Sequence, residues 1–203
     1  CSPIIVSYND RRILVGETGA YIVGANADTG ALLWSFHQKV PWDIHANTPL
    51  YEKGLIYYTA GDARGGGALE LSPDGTSVTS KWESTVLDPL HNGVVLVDGY
   101  LYAAGSKQAQ LGCLEMATGN TMWTTKEIKE AVIIYADGML YLYESPKSGV
   151  VKLVKASPDG YECTGQFTVT EGDGNHWTHP VIANGILYIR HGDALCAYDV
   201  RAK

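Results

Sequence analysis

The stretch Asp98-Gly99-Tyr100-Leu101-Tyr102 decides the fold, because close variants of it recur along the 203-residue chain. In each copy a glycine is followed three residues later by a tyrosine. An Asp-Gly or Asn-Gly pair between alternating apolar residues is typical of a two-residue β-hairpin turn, in which both turn positions have positive φ. The other three copies are Lys53–Tyr57, Asp137–Tyr141 and Asn184–Tyr188.

A second turn phrase follows each hairpin, and a large aromatic residue follows the phrase at a fixed distance. Asp, Ser, Thr and Gly are the residues that such turns favour. Trp34 and Trp123 lie four residues beyond Gly30 and Gly119, whereas Trp82 and Phe167 lie seven residues beyond Gly75 and Gly160. We expect these four aromatic residues to occupy equivalent positions on the fourth strand of each repeat and to pack between neighbouring sheets.

Each repeat therefore consists of four antiparallel strands in roughly 40 to 45 residues, which is the size of a β-propeller blade. The sequence predicts an all-β fold, a single propeller over residues 1–203 with about five four-stranded blades. The repeats are predicted at about 2–40, 41–86, 87–127, 128–172 and 173–203. The last repeat has room for three strands, the third being Ala194–Asp199. We expect either N-terminal blades that are missing from this chain or association with another chain through the open edges.

Composition and charge narrow the possible partners. The formal net charge is −7 and the basic residues are scattered, which argues against nucleic acid because phosphate binding needs clustered Lys and Arg. No segment is long and apolar enough for a transmembrane helix. The four cysteines form no C-x-x-C pair, so no metal site is predicted.

Polar residues concentrate just before the first strand of each repeat, a segment that opens towards the mouth of a propeller channel. The candidates for ligand binding there are His45, Asn47, His91, Asn92, His176, Trp177 and His179, joined by His191 from the loop between the second and third strands. They could form a polar site with Trp177 as a stacking surface. They could instead satisfy backbone groups of converging strands, which is the usual role of buried polar side chains. Asp43 and Asp88 are candidate acids, but no catalytic residue is assigned.

The Gly-x-x-Tyr hairpins, the phrase from Ala25 to Trp34 and the closing Leu195-x-Ala197-Tyr198-Asp199 together resemble the quinoprotein alcohol-dehydrogenase-like propeller family, also called PQQ-like repeats. The resemblance covers nearly the whole chain, and the aromatic residues correspond to its tryptophan-docking motif. It implies a ring of seven or eight blades, of which this chain supplies about five. It also implies a periplasmic or otherwise extracytoplasmic location.

Members of this family include calcium- and quinone-dependent dehydrogenases and outer-membrane assembly lipoproteins without enzymatic activity. The dehydrogenases carry two adjacent cysteines beside the quinone, and this sequence has none. We therefore expect a non-catalytic binding or scaffold module that recognises a protein, a small molecule or a carbohydrate. The alternative is a PQQ-dependent alcohol dehydrogenase-like enzyme with its site at the channel mouth, and only that alternative calls for PQQ and calcium.

Overall fold

The computed structural model describes residues 1–38, 45–105 and 107–201, and every regular element in these residues is a β-strand. The strands form five antiparallel sheets, each built from consecutive strands, which we call blades 1 to 5 in chain order. Blades 1 and 2 contain β1 (Ile4–Tyr8), β2 (Arg11–Glu17), β3 (Tyr21–Asn26), β4 (Leu32–His37), β5 (Leu50–Glu52), β6 (Leu55–Thr59), β7 (Gly66–Leu71) and β8 (Val78–Ser84). Blade 3 contains β9 (Val95–Val97), β10 (Tyr100–Ala104), β11 (Leu111–Glu115) and β12 (Thr121–Thr125). Blades 4 and 5 contain β13 (Ala131–Ala136), β14 (Met139–Glu144), β15 (Val150–Lys155), β16 (Cys163–Thr168), β17 (Val181–Ala183), β18 (Ile186–His191) and β19 (Ala194–Asp199).

The predicted hairpin turns are present with the expected backbone. In blade 3 the turn residues Asp98 and Gly99 have φ of 49° and 85°, and the corresponding pairs in blades 2, 4 and 5 also have positive φ at both positions. Blade 1 has a turn of the same kind at Asn9 and Asp10, which the recurring glycine phrase does not mark. Blade 5 has three strands, and its third strand has the predicted bounds.

Strands in the middle of the molecule are buried on both faces. All five residues of β6 are buried, because Ile56 and Tyr58 pack against blade 1 while Leu55 and Tyr57 pack against blade 3. Each full burial of such an apolar side chain contributes about 1.5–3 kcal/mol. The buried residues divide into four clusters, and each cluster joins two consecutive blades. The core is therefore a series of blade junctions, as in a β-propeller.

Among the described residues, each of the two end blades packs against another blade on one face only. Large apolar side chains are exposed on blade 1 and on blade 5, among them Leu32 at 67% and Leu195 at 71%. In the described part of the chain there is also no helix that could cross a membrane.

Candidate functional site

Three tryptophans of the fourth strands occupy one structural position. Trp34 pairs with Gly24, Trp82 with Ala68 and Trp123 with Cys113, and in each case a β-bulge begins immediately after the pair. The residue opposite each tryptophan is small, so the indole can lie flat across the neighbouring strand. Trp34 shows this directly, because its ring lies so close to Gly24 that a Cβ atom added there would clash with it.

The indoles also reach the next blade, as expected for residues that pack between sheets. Trp82 donates its Nε1–H to the carbonyl of Met116 at 3.0 Å, and Trp123 donates to the carbonyl of Ser157 at 2.9 Å. Trp34 is 6% exposed and belongs to the cluster shared by blades 1 and 2, although its Nε1 has no partner among the described residues. These three rings thus lie at three successive blade junctions.

Blade 4 departs from this pattern. Leu153 precedes the bulge and pairs with Gly165, so glycine stands where the other blades have tryptophan. Phe167 lies two residues further along β16, opposite Val151, and packs on Tyr198 of blade 5 with ring centroids 4.5 Å apart. Phe167 does lie between blades, but its expected equivalence with Trp82 is wrong, because the connection from the third to the fourth strand is two residues shorter in blade 4 (Leu153 to Gly165) than in blade 2 (Ala68 to Trp82).

A groove opens at this junction between blades 4 and 5. Its volume is about 320 Å³. Its lining is mostly apolar, with Arg201 and Asp199 paired at one side through Nη2 and Oδ2 at 2.5 Å. The apolar lining residues are Tyr141, Val151, Leu153, Phe167, Tyr198 and Val200.

The predicted polar residues begin with His45, which lies at the junction of blades 1 and 2. Its Nδ1 is 2.8 Å from Oε2 of Glu17, and the two side chains are 2% and 0% exposed. Burial raises the pKa of Glu17, and the neighbouring His45 opposes that shift. Glu17 could not be identified from the sequence as the partner of His45, because the two residues lie on different repeats and belong to no local motif.

Amide and carboxylate side chains tie blades 2, 3 and 4 together. Asn47 donates to the carbonyl of Pro89 at 2.8 Å and accepts from the N–H of Gly93 at 3.1 Å. Asn92, which is fully buried, donates to Oγ of Ser145 in blade 4 at 3.3 Å. These side chains hold the entry segment of one blade against its neighbour.

The candidate acid Asp88 is fully buried and accepts three backbone N–H bonds. The donors are Ala63 from blade 2, at 2.7 Å, and Lys107 and Gln108 from blade 3, at 3.0 and 3.2 Å. A carboxylate with this many donors is a structural link between loops. Asp43, the other candidate acid, lies outside the described residues.

His176 and His191 lie together at the junction of blades 4 and 5. Their rings are stacked with centroids 3.8 Å apart, and Nδ1 of His176 contacts the hydroxyl of Tyr143. Burial, together with the neighbouring His191, lowers the pKa of His176. The two ring nitrogens of His191 face the carbonyl oxygens of Glu171 and Gly174 at 2.8 and 3.2 Å, so only a doubly protonated ring could donate to both.

The remaining predicted residues are more accessible. Nε2 of His179 is 2.9 Å from the carbonyl of His91, and the ring of His91 meets that of Trp177 edge-on, with centroids 6.1 Å apart. Trp177 is 51% exposed. The structure therefore brings the eight predicted residues into a series of contacts along successive blade entries. Several of them bond a neighbouring blade, whereas Nε2 of His45, Nε2 of His91 and Oδ1 of Asn92 are buried with no hydrogen-bond partner in the described part of the chain.

The donor set does not fit a calcium ion of the kind that quinone enzymes hold. Calcium takes six or more oxygen ligands, several of them carboxylates. In residues 1–38, 45–105 and 107–201 no group of three His, Cys, Asp or Glu side chains could hold a metal ion. Of the buried carboxylates, Asp88 accepts backbone N–H bonds and Glu17 lies against His45.

Comparisons with known proteins identify similar β-propellers. The family model described as outer membrane protein assembly factor BamB matches residues 72–202, whereas no curated protein matches the chain. BamB from Moraxella catarrhalis is similar in structure, with 17% identity, a TM-score of 0.53, and coverage of 95% of this chain and 70% of that one. The computationally designed Ika8 protein (12% identity, TM-score 0.58) covers 97% of this chain, which spans 57% of it.

A europium-containing methanol dehydrogenase is also similar in structure, with 10% identity and a TM-score of 0.58. The match covers 83% of this chain but only 42% of the enzyme. At these identities the likeness to solved structures shows the β-propeller fold alone. The family match is different in kind, because it spans well over half of the sequence. The chain belongs to the family of the outer membrane protein assembly factor BamB, a family of PQQ-like repeat β-propellers.

Proposed function

We propose that this chain is a non-catalytic scaffold propeller that works outside the cytoplasm and binds protein partners during the assembly of outer membrane proteins. The family match names an assembly factor, and BamB from Moraxella catarrhalis has a similar fold over most of this chain. Both support a scaffold role, and the same relationship supports an extracytoplasmic location.

The observation that carries the proposal is the use made of the predicted polar residues. Asn47, Asn92 and Asp88 bond to backbone or side-chain groups of the neighbouring blade, and all three are buried. Nδ1 of His45 faces Glu17 across the junction of blades 1 and 2. These bonds commit the side chains to holding neighbouring blades together, which supports a rigid scaffold over a dehydrogenase site, although Nε2 of His45, Nε2 of His91 and Oδ1 of Asn92 are buried without a hydrogen-bond partner among the described residues.

The proposal is tested by isolating partners under native conditions. A tagged copy of the 203-residue chain, expressed in its own host and fixed with a short cross-linker, is expected to co-purify with components that assemble outer membrane proteins. A tagged, unrelated periplasmic protein serves as the control. Recovery of the same proteins with both baits, or of none, would contradict the assembly role.

The enzymatic alternative is tested separately on the purified chain. We expect no saturable binding of PQQ in the presence of calcium, and no alcohol-dependent dye reduction above the rate without protein. Stoichiometric binding with turnover would replace the scaffold by a quinoprotein dehydrogenase. A reproducible signal on a glycan array would instead identify the ligand as a carbohydrate.

A further inference from the structure

We propose that the groove between blades 4 and 5 binds the indole side chain of a tryptophan from a partner protein, in the place that the chain's own tryptophans fill at other junctions. This inference rests on the proposed function, because it names the feature of a protein partner that the scaffold recognises.

The first step is the open position at Gly165. The residue pairs with Leu153 just before the bulge, as Trp82 pairs with Ala68 and Trp123 with Cys113. A Cβ atom added to Gly165 meets no atom within 4 Å. The side chain that fills the other junctions is therefore absent here, and the space in front of Gly165 is open.

The second step is the aromatic wall that remains. Tyr57 and Tyr102 pair with the small residues opposite Trp82 and Trp123, and their rings lie 5.9 and 6.1 Å from the indoles. Tyr141 holds the same register in blade 4, pairs with Leu153 and lines the groove. An indole in the groove would thus meet a tyrosine ring, an arrangement that adds about 0.5–1.5 kcal/mol to an aromatic contact.

The third step is the acceptor for an indole N–H. In blades 3 and 4 the N–H of one residue after the third strand donates to the carbonyl of the hairpin glycine. Trp82 donates to the carbonyl of that residue in blade 3, which is Met116, and Trp123 donates one residue further on in blade 4, to the carbonyl of Ser157. In blade 5 the N–H of Val200 makes that bond to the carbonyl of Gly185. The corresponding acceptors are therefore the carbonyls of Val200 and Arg201, and both residues line the groove. A donor at this point distinguishes indole from a phenyl ring.

The chain's own Phe167 does not take the open position. Phe167 lies two residues beyond Gly165, and its ring packs on Tyr198. A groove of about 320 Å³ remains. That volume is at the lower end of the range for small-molecule sites, about 300–1,000 Å³. It suits one large side chain of a partner.

The experiment uses N-acetyl-tryptophanamide as the probe and the 203-residue chain labelled for NMR. We expect saturable shifts of the resonances of Leu153, Phe167 and Val200, with a dissociation constant of about 1–10 mM for so small a ligand. Intermolecular NOEs should connect the indole protons to the Leu153 methyl groups. N-acetyl-alaninamide, which lacks the ring, should cause no saturable shift, and N-acetyl-phenylalaninamide should bind several-fold more weakly.

A filled groove provides the decisive variant. Gly165→Trp should place the chain's own indole in the groove and abolish the response to the probe, without raising the melting temperature, because the large Leu153 stands opposite. The matched control Gly165→Ala should keep the response to the probe. Unchanged binding by a folded Gly165→Trp protein would overturn the proposal, and so would the absence of saturable shifts and NOEs in the unmodified chain.

Failure of the groove proposal can be distinguished from failure of the assembly role. If the probe does not bind but assembly components still co-purify with the chain, the groove is excluded and the scaffold function stands. If the probe binds but no assembly component is recovered, the indole site stands and the assembly role fails.

Discussion

Two blade junctions, 2–3 and 4–5, can be compared at one pair of facing residues. The strand pairing at that point is the same in both, but the sizes of the two facing side chains are reversed. In the first, small Ala68 faces large Trp82, and in the second, large Leu153 faces Gly165, which has no side chain. The bulge follows directly in both. The pleat and register of the blade therefore do not depend on the tryptophan, whereas closure of the junction does.

The largest effect is expected from emptying a filled junction. Trp34→Ala should lower the free energy of unfolding by about 3–5 kcal/mol, because the ring is buried and covers Gly24. Denaturation in urea measures the change. Gly165→Ala, made at the equivalent position of blade 4, should change stability by less than about 0.5 kcal/mol because the added methyl group meets open space. Equal losses in the two variants would show that the two junctions do not differ in packing.

An intermediate effect is expected from exchanging the sizes of the side chains. Ala68→Leu puts a larger residue beneath Trp82 and should cost about 1–3 kcal/mol through overpacking, since Ala68 is fully buried. The double variant Ala68→Leu with Trp82→Gly recreates the pair found in blade 4. Its loss of stability should be at least about 0.5 kcal/mol smaller than the sum of the two single losses. Simple additivity in this double-mutant cycle would contradict the idea that the two sizes compensate.

The sequence predicts the blades well and the junctions less well. Positive φ at Asp98-Gly99 and its equivalents follows from local steric preferences, so the hairpin phrase is sufficient to locate those turns. The place of Phe167 depends on the length of the connection to β16, which is two residues shorter than the corresponding connection to β8, although the turn phrases of both blades end in Asp-Gly. A comparison of the residues opposite each aromatic could have shown the exception, because Leu153 is large where Gly24 and Ala68 are small.

The sequence predicts where the polar residues of the candidate site lie, but it does not predict their partners. The polar residues before each first strand do lie at blade entries, because their distance from the hairpin glycine is short and regular. Their partners come from other repeats: Glu17 for His45, Ser145 for Asn92 and Tyr143 for His176. Contacts between residues so far apart in sequence depend on how the blades stack, which the pattern within one repeat does not contain.

The smallest effect concerns the polar ends of the two junctions, which also differ in chemistry. Junction 2–3 is held by Asn47 and Asp88, whereas junction 4–5 is held by His176, which faces Tyr143 and the stacked His191. Burial and His191 lower the pKa of His176 in the folded protein. Above the unfolded value of about 6.5 the ring is neutral in both states. Below it the unfolded chain takes up a proton that the folded ring resists, so stability falls as the pH decreases through this range.

The measurement compares urea unfolding at pH 7 and pH 5 for three proteins. His176→Gln should show a smaller loss of stability between the two pH values than the unmodified chain, because the titrating ring is gone. His37→Gln, which removes an exposed histidine from blade 1, is the matched control and should behave as the unmodified chain does. A loss that is as large in His176→Gln as in the unmodified chain would mean that the imidazoles at junction 4–5 do not make it sensitive to pH. The two junctions would then differ in side-chain packing alone. The double variant Ala68→Leu with Trp82→Gly measures that difference.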